Sequence, residues 1–181
     1  QSLTPGDIER LTAESHCAIL PGMSQVESSA AVPASNPSPT AVARRAAAEA
    51  AVALLKPGMT VGLGTGDTAA YAIRALAARK LTGLRCVATS TRSADLAREL
   101  GLPLFELDDI APPTAASEKQ PIDITIDGAD EIDGALQLSK GGGGALLFEK
   151  LVAQASQSMV VIADEQKVVR TIGDFSAAAR E

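Results

Sequence analysis

Short apolar segments, each closing on a glycine- or acid-containing loop, alternate with segments of helical period from residue 40 to residue 163. This alternation limits the fold more than any other feature of the sequence. Residues 41–55 are Ala-rich, with Thr40 placed to cap them and Lys56-Pro57-Gly58 placed to stop them. Residues 59–63 read as a buried strand and residues 68–80 as a helix with Ala69, Ile73, Leu76 and Ala77 on one face. A strand over 84–89, a helix over 93–100 and a strand over 103–107 follow. Beyond a polar loop holding Pro112 and Pro113, strands are predicted over 122–126, 135–139 and 159–163, with a helix over 144–156. The pattern predicts an α/β fold: a doubly wound, mostly parallel sheet flanked by helices, a Rossmann-like three-layer domain. There is no internal repeat.

Residues 1–40 differ in kind. Residues 24–40 are rich in Ser, Pro and Ala and have no helical or strand period, so they bury too little apolar surface to offset the entropy of ordering. The sequence thus divides into a disordered leader over 1–40 and a domain over 41–181. Asp7, Glu9, Glu14 and Glu27 against Arg10 give the wrong balance for an Arg-rich transit peptide, and no unbroken apolar core marks a secretory signal. The chain begins with Gln, as a processed or partial chain does.

Composition removes several function classes. A net charge of −6 with only four aromatic side chains, Tyr71, Phe105, Phe148 and Phe175, provides neither a basic stripe nor stacking platforms for nucleic acid. A lone histidine, His16, argues against His-rich zinc sites and a Ser-His-Asp triad. Cys17 and Cys86 lack disulfide-framework or metal-knuckle spacing, a pattern suited to a reducing cytosol. No apolar run approaches the length of a membrane helix.

Ligands of open α/β sheets bind beyond the carboxyl ends of the strands, so the loops there carry the argument. Gly62-Leu63-Gly64-Thr65-Gly66-Asp67-Thr68 is neither a dinucleotide fingerprint nor a Walker A loop. What remains is a tight turn offering backbone N–H groups, Thr65 and Thr68 at a helix N-terminus, an anion site. Within it, Asp67 is expected to turn back and cap the helix, competing with a bound anion. In the second loop, Asp127-Gly128-Ala129-Asp130-Glu131-Ile132-Asp133, Ala129 stands where an EF-hand needs an oxygen ligand. Asp127 ends an apolar strand and is expected to face the cleft. The third loop is Lys140-Gly141-Gly142-Gly143-Gly144. In the helix after it, Glu149 projects with Ala145, Val152 and Ser156, away from Leu147, Lys150, Gln154 and Gln157. A carboxylate on that buried face has a raised pKa suited to a general base, with Lys140 or Lys167 as its cation. Asp164 and Lys167 follow the last strand.

Taken together, these loops resemble type A ribose-5-phosphate isomerases in order and spacing over about residues 41–175. The resemblance implies interconversion of D-ribose 5-phosphate and D-ribulose 5-phosphate through an enediolate, in the non-oxidative pentose phosphate pathway, without metal or cofactor. It implies Glu149 as the base between C1 and C2, Asp127 for ring opening and hydroxyl protons, and Asp130 in support. Lys140 and the N–H groups of Gly141, Gly142 and Gly143 would stabilise the oxyanion. Thr65, Gly66, Asp67, Thr68, Lys167 and Arg44 would hold the phosphate, with Gly128 and Ala129 completing the substrate site. A cytoplasmic homodimer or homotetramer in a full-length form is also implied. The sequence departs from the family's usual pattern at Asp67, where Ser is usual, and at Phe148, where Arg is common. The family continues into a further small α/β domain that residues 174–181 do not follow, which makes this chain truncated at the C-terminus. Two alternatives stay open: a non-catalytic sugar-phosphate binding module or inactive fragment, and a coenzyme A transferase-like fold with a Glu nucleophile.

Overall fold

The computed structural model of the chain describes residues 17–21, 38–110 and 121–173. The predicted loop around Pro112 and Pro113 and residues 174–181 lie outside the described residues, as do residues 1–16 and 22–37 of the expected leader. A five-stranded sheet forms the centre, in the order β1 (Cys17–Pro21), β7 (Met159–Ala163), β4 (Ile124–Gly128), β2 (Thr60–Leu63), β3 (Arg85–Ala88). Every pairing in it is parallel. A small antiparallel ribbon, β5 (Glu131–Ile132) with β6 (Leu138–Ser139), stands outside the sheet.

The edge strand corrects the expectation of a structureless leader. Cys17–Pro21 lies alongside β7 over its whole length, from Cys17 opposite Met159 to Pro21 opposite Ala163. The apolar run Cys17-Ala18-Ile19-Leu20 is a local signal for it, set in a segment otherwise dominated by polar, Ser and Pro residues. Its place comes from the unpaired edge of β7, which supplies a ready row of backbone partners.

α1 (Pro39–Ala53) is capped by Ser38, not by Thr40. The Ser38 hydroxyl accepts from the Ala41 N–H at 3.2 Å, and Pro39 takes the first helical position, where its missing N–H costs nothing. The carbonyls of Val52 and Leu55 at its far end both accept from Arg79, on α2 (Asp67–Arg79). α3 (Thr91–Glu99) and the single-turn α4 (Leu107–Ile110) follow β3. The strand predicted over 103–107 is reduced to one bridge, Cys86 with Leu104, because α4 begins at its last residue.

Strand parity sorts the core into two faces. Val61, Leu63, Ile124, Ile126, Val160 and Ile162 pack with buried residues of α1, α2 and α3. The opposite face carries Val161 and Ala163 with the ribbon's Ile132, and Val87 and Ile122 with Val152 of α5 (Leu146–Gln154). Thr125 and Asp127 are polar residues of that second face. Thr125 shares a hydrogen bond of 2.7 Å with Ser156, and Asp127, two residues on, is fully buried. The chain runs past α5 into β7 and then a 3-10 turn, Glu165–Lys167.

Candidate active site

Glycine sets the distance at which α5 lies on the sheet. A Cβ on Gly62 would fall 1.9 Å from the Thr125 hydroxyl oxygen and 2.7 Å from Val152 of α5. A Cβ on Gly64 would fall 2.1 Å from Asp127 Oδ1. Hydrogen at Gly62 lets the helix settle close to β2 and β4, hydrogen at Gly64 leaves room for Asp127, and Glu149, 5% exposed, comes to face Asp127. The helical projection predicted this: Glu149 and Val152 are the buried residues of α5, while Leu147 and Lys150 are exposed. Phe148, where the sequence departs from the family pattern, is 57% exposed and points away from the site.

Lys140 stands between the two carboxylates. Its ammonium lies 2.9 Å from Asp127 Oδ2 and 3.8 Å from Glu149 Oε2, and it donates to the Gly128 carbonyl. Of the two cations considered for Glu149, Lys140 is the one in place. The other oxygen of Asp127 accepts from the N–H groups of Thr65 (3.1 Å) and Gly128 (2.7 Å). Asp127 Oδ2 is buried with the Lys140 ammonium as its partner, while Glu149 Oε2 is buried and makes no hydrogen bond among the described residues. Buried acceptors left in this condition are costly, and sites that bind hydroxyl groups are where they persist. Burial pushes the Glu149 carboxyl above its ordinary range, and the neighbouring negative charge of Asp127 adds to the rise against the pull of Lys140. Asp127 is also raised, chiefly by desolvation, with Lys140 and the two N–H groups opposing it.

Arg44, Thr65, Gly66, Asp67, Thr68, Gly128, Ala129, Asp130, Lys140, Gly141, Gly143, Glu149 and Lys167 line one cavity of about 140 Å³ at the carboxyl edge of the sheet. Nearly every site residue expected from the sequence therefore meets there. Asp127 lies beneath it, reaching it through Lys140. A broader cleft of about 940 Å³ opens beside it, between α2 and α3, but Asp130, Lys140 and Glu149 take no part in its walls. The cluster of Asp130, Lys140 and Glu149 belongs to the smaller cavity.

Several expected roles are corrected by the geometry. The Gly142 N–H, expected to face an oxyanion, donates to Asp130 Oδ2 at 2.7 Å, because that carboxylate reaches across from the second loop. Thr65 lines the cavity, yet its N–H is taken by Asp127 and its hydroxyl pairs with that of Thr89 at 2.8 Å. Asp67 does not cap α2. The capping position is Gly66, at φ 112°, with no side-chain cap bond, and the Asp67 carboxylate pairs instead with Arg92 at 2.7 Å. No capping side chain therefore competes for the first N–H groups of α2. Arg44 reaches the cavity while its Nε donates to Asp164 at 2.7 Å. Asp164 is 2% exposed, and its other oxygen caps the 3-10 turn that carries Lys167. In the acidic loop, Glu131 and Asp133 serve structure: Glu131 accepts from Gly173, and Asp133 holds the turn between β5 and β6 through Ala135 and Gln137.

Sequence reasoning missed the turn after β3. Thr89 Oγ1 bonds to the Leu63 carbonyl, and Ser93 Oγ donates to the Gly64 carbonyl at 2.6 Å, so this turn braces the first glycine loop. The signal was available, since Thr89 to Ser93 lie at the same carboxyl edge as the other loops. Among the described residues, no group of three or more His, Cys, Asp or Glu side chains converges to hold a metal ion.

A parallel α/β sheet with a lysine between two buried carboxylates, beside a helix N-terminus without a side-chain cap, is an arrangement with the groups that acid–base chemistry next to an anion requires. The family model for ribose 5-phosphate isomerase A (phosphoriboisomerase A) matches residues 85–179, and the chain belongs to that family. It is 52% identical over 134 residues to ribose-5-phosphate isomerase A of Parvibaculum lavamentivorans, covering 73% of this chain and 54% of the relative. Among solved structures it resembles ribose 5 phosphate isomerase A from Neisseria gonorrhoeae at 39% identity and a TM-score of 0.64, over 72% of this chain and 54% of that one. It also resembles a D-ribose-5-phosphate isomerase in complex with phospho-erythronic acid, at 33% identity and a TM-score of 0.65, over 72% of this chain and 55% of that one. The chain spans about half the length of the curated relatives it matches.

Proposed function

We propose that this chain carries the catalytic half of an aldose–ketose isomerase acting on D-ribose 5-phosphate and D-ribulose 5-phosphate, a cytoplasmic enzyme of the non-oxidative pentose phosphate pathway. The observation that carries the reading is the Asp127–Lys140–Glu149 arrangement, with a buried Glu149 carboxylate oxygen that has no hydrogen-bond partner among the described residues, in a cavity the size of a small sugar. Glu149 takes the proton from C2 of the open-chain aldose and returns it to C1 of the enediolate, while a proton moves from O2 to O1. Asp127 handles the hydroxyl protons and ring opening, and Asp130 supports it while ordering the glycine loop through Gly142. The Lys140 ammonium faces the charge that develops on the enediolate oxygen, with Gly141 and Gly143 beside it. The first turn of α2 from Gly66 to Thr68, together with Arg44 and Lys167, holds the phosphate. The phospho-erythronic acid complex of a related isomerase supports an acidic sugar phosphate as the class of ligand. In a full-length form, the assembly is a homodimer or homotetramer.

The test is proton exchange at C2 of ribose 5-phosphate, followed by NMR in deuterated water beside a coupled assay of ketose formation. This chain is expected to exchange the proton, and Glu149→Gln to abolish exchange while still binding the sugar phosphate. Exchange at the parent rate in the variant would remove Glu149 from the base role. Binding without exchange in the parent chain would favour a non-catalytic sugar-phosphate module.

A further inference from the structure

Asp67 poses an electrostatic problem. It is the first residue of α2, and it lines the cavity in which the helix N-terminus is offered to a phosphate. A carboxylate there repels a dianion. Asp67 also lines the broader cleft between α2 and α3, so it stands on the border of the two spaces. Arg92 lines the broader cleft and not the substrate cavity, and its guanidinium holds Asp67 Oδ1 at 2.7 Å. The pair therefore draws the carboxylate toward the α3 side and offsets part of its charge.

Arg92 is set in register by contacts that have nothing to do with charge. The next residue, Ser93, is 4% exposed and donates to the Gly64 carbonyl, and Ser90 caps α3. Thr89 bonds both to the Leu63 carbonyl and to Thr65. The N-terminus of α3 is thus fastened to the loop whose charge Arg92 balances. We infer that Arg92 is a positioning residue for the phosphate end of the site, holding the Asp67 carboxylate away from the α2 N-terminus so that a phosphate dianion binds there.

The inference rests on the sugar-phosphate reading of the cavity, and the experiment separates the two. The full chain is titrated calorimetrically with ribose 5-phosphate at pH 8 and low salt, as the parent and as Arg92→Ala, Arg92→Lys and Asp67→Ser/Arg92→Ala. Like charges about 7 Å apart in water, counted twice for a dianion, cost roughly sevenfold in affinity. Arg92→Ala is therefore expected to weaken binding about fivefold or more, and added salt to shrink the loss. Arg92→Lys retains most of the affinity, and removal of Asp67 in the Arg92→Ala background restores it. That rescue is what a merely structural role of Arg92 would not give. Arg92 is exposed, so the variants are expected to fold, as their thermal midpoints would show. Unchanged affinity in Arg92→Ala, or failure of the double variant to recover, overturns the inference while leaving the site reading intact. A parent chain that does not bind ribose 5-phosphate overturns both.

Discussion

Glu149 is held where ionisation is unfavourable, and this has consequences for pH and for stability. Its carboxyl is raised by burial and then by Asp127, so the acid limb of the proposed isomerase activity is expected above the pH at which an ordinary glutamate titrates, about 4.3. For a carboxyl whose folded pKa exceeds its unfolded value, the folded state binds more protons between the two values. Its contribution is complete below the unfolded pKa and lost as pH rises through the folded one. Glu149→Gln removes that loss. The variant is expected to be more stable than the parent at pH 8, with the difference vanishing near pH 4. Urea unfolding of both chains at the two pH values checks it; a destabilised variant at pH 8 would mean that Lys140 outweighs burial.

At the scale of elements, the active site depends on how closely α5 approaches β2 and β4. Gly64→Ala places a methyl 2.1 Å from Asp127 Oδ1 and 2.5 Å from its Cα, against backbone that has no slack. Overpacking of this kind costs about 1–3 kcal/mol, and Asp127 is the residue displaced. The expected result is a lowered urea midpoint with a still larger loss of turnover. At the same carboxyl edge, Ser38→Ala removes the α1 cap and is expected to cost about 1 kcal/mol, whereas Thr40→Ala is expected to be far milder. The cap is where sequence reading slipped by two residues: Thr40 and Ser38 are both competent, and Pro39 decides between them, since it suits the first turn of a helix and is disfavoured further inside. By contrast, β7 was read at its observed bounds, because a run of Met, Val, Val, Ile and Ala between polar residues has no other use in an α/β chain.

Across the whole molecule, β1 is the element that changes expectation most. A chain beginning at Ser38 lacks the strand that pairs with β7, the strand leading into Asp164 and Lys167. Its thermal midpoint is expected to fall by several degrees, since about 1 kcal/mol shifts a domain of this size by a few degrees. An unchanged midpoint would show that the pairing contributes nothing to stability. The same view includes the exposed apolar strip on α5, where Leu146, Leu147, Phe148 and Leu151 are 50%, 68%, 57% and 41% exposed. These side chains share a helix with Glu149, and Leu146 among them packs against Gly141 of the glycine loop. The alternation of strand and helix, the carboxyl-edge loops and the buried face of α5 were all written locally, in periods of two and 3.6 residues and in the glycines between them. Local pattern therefore determined the architecture and nearly all the residues lining the cavity. Which donor meets which acceptor was not local. Gly142 to Asp130, Thr65 to Thr89, Arg44 to Asp164 and Arg92 to Asp67 join residues 12 to 120 positions apart. Hydrogen bonds and ion pairs act over a few ångströms, so only the packed sheet and helices could bring these partners together and decide which polar groups were left to face a ligand.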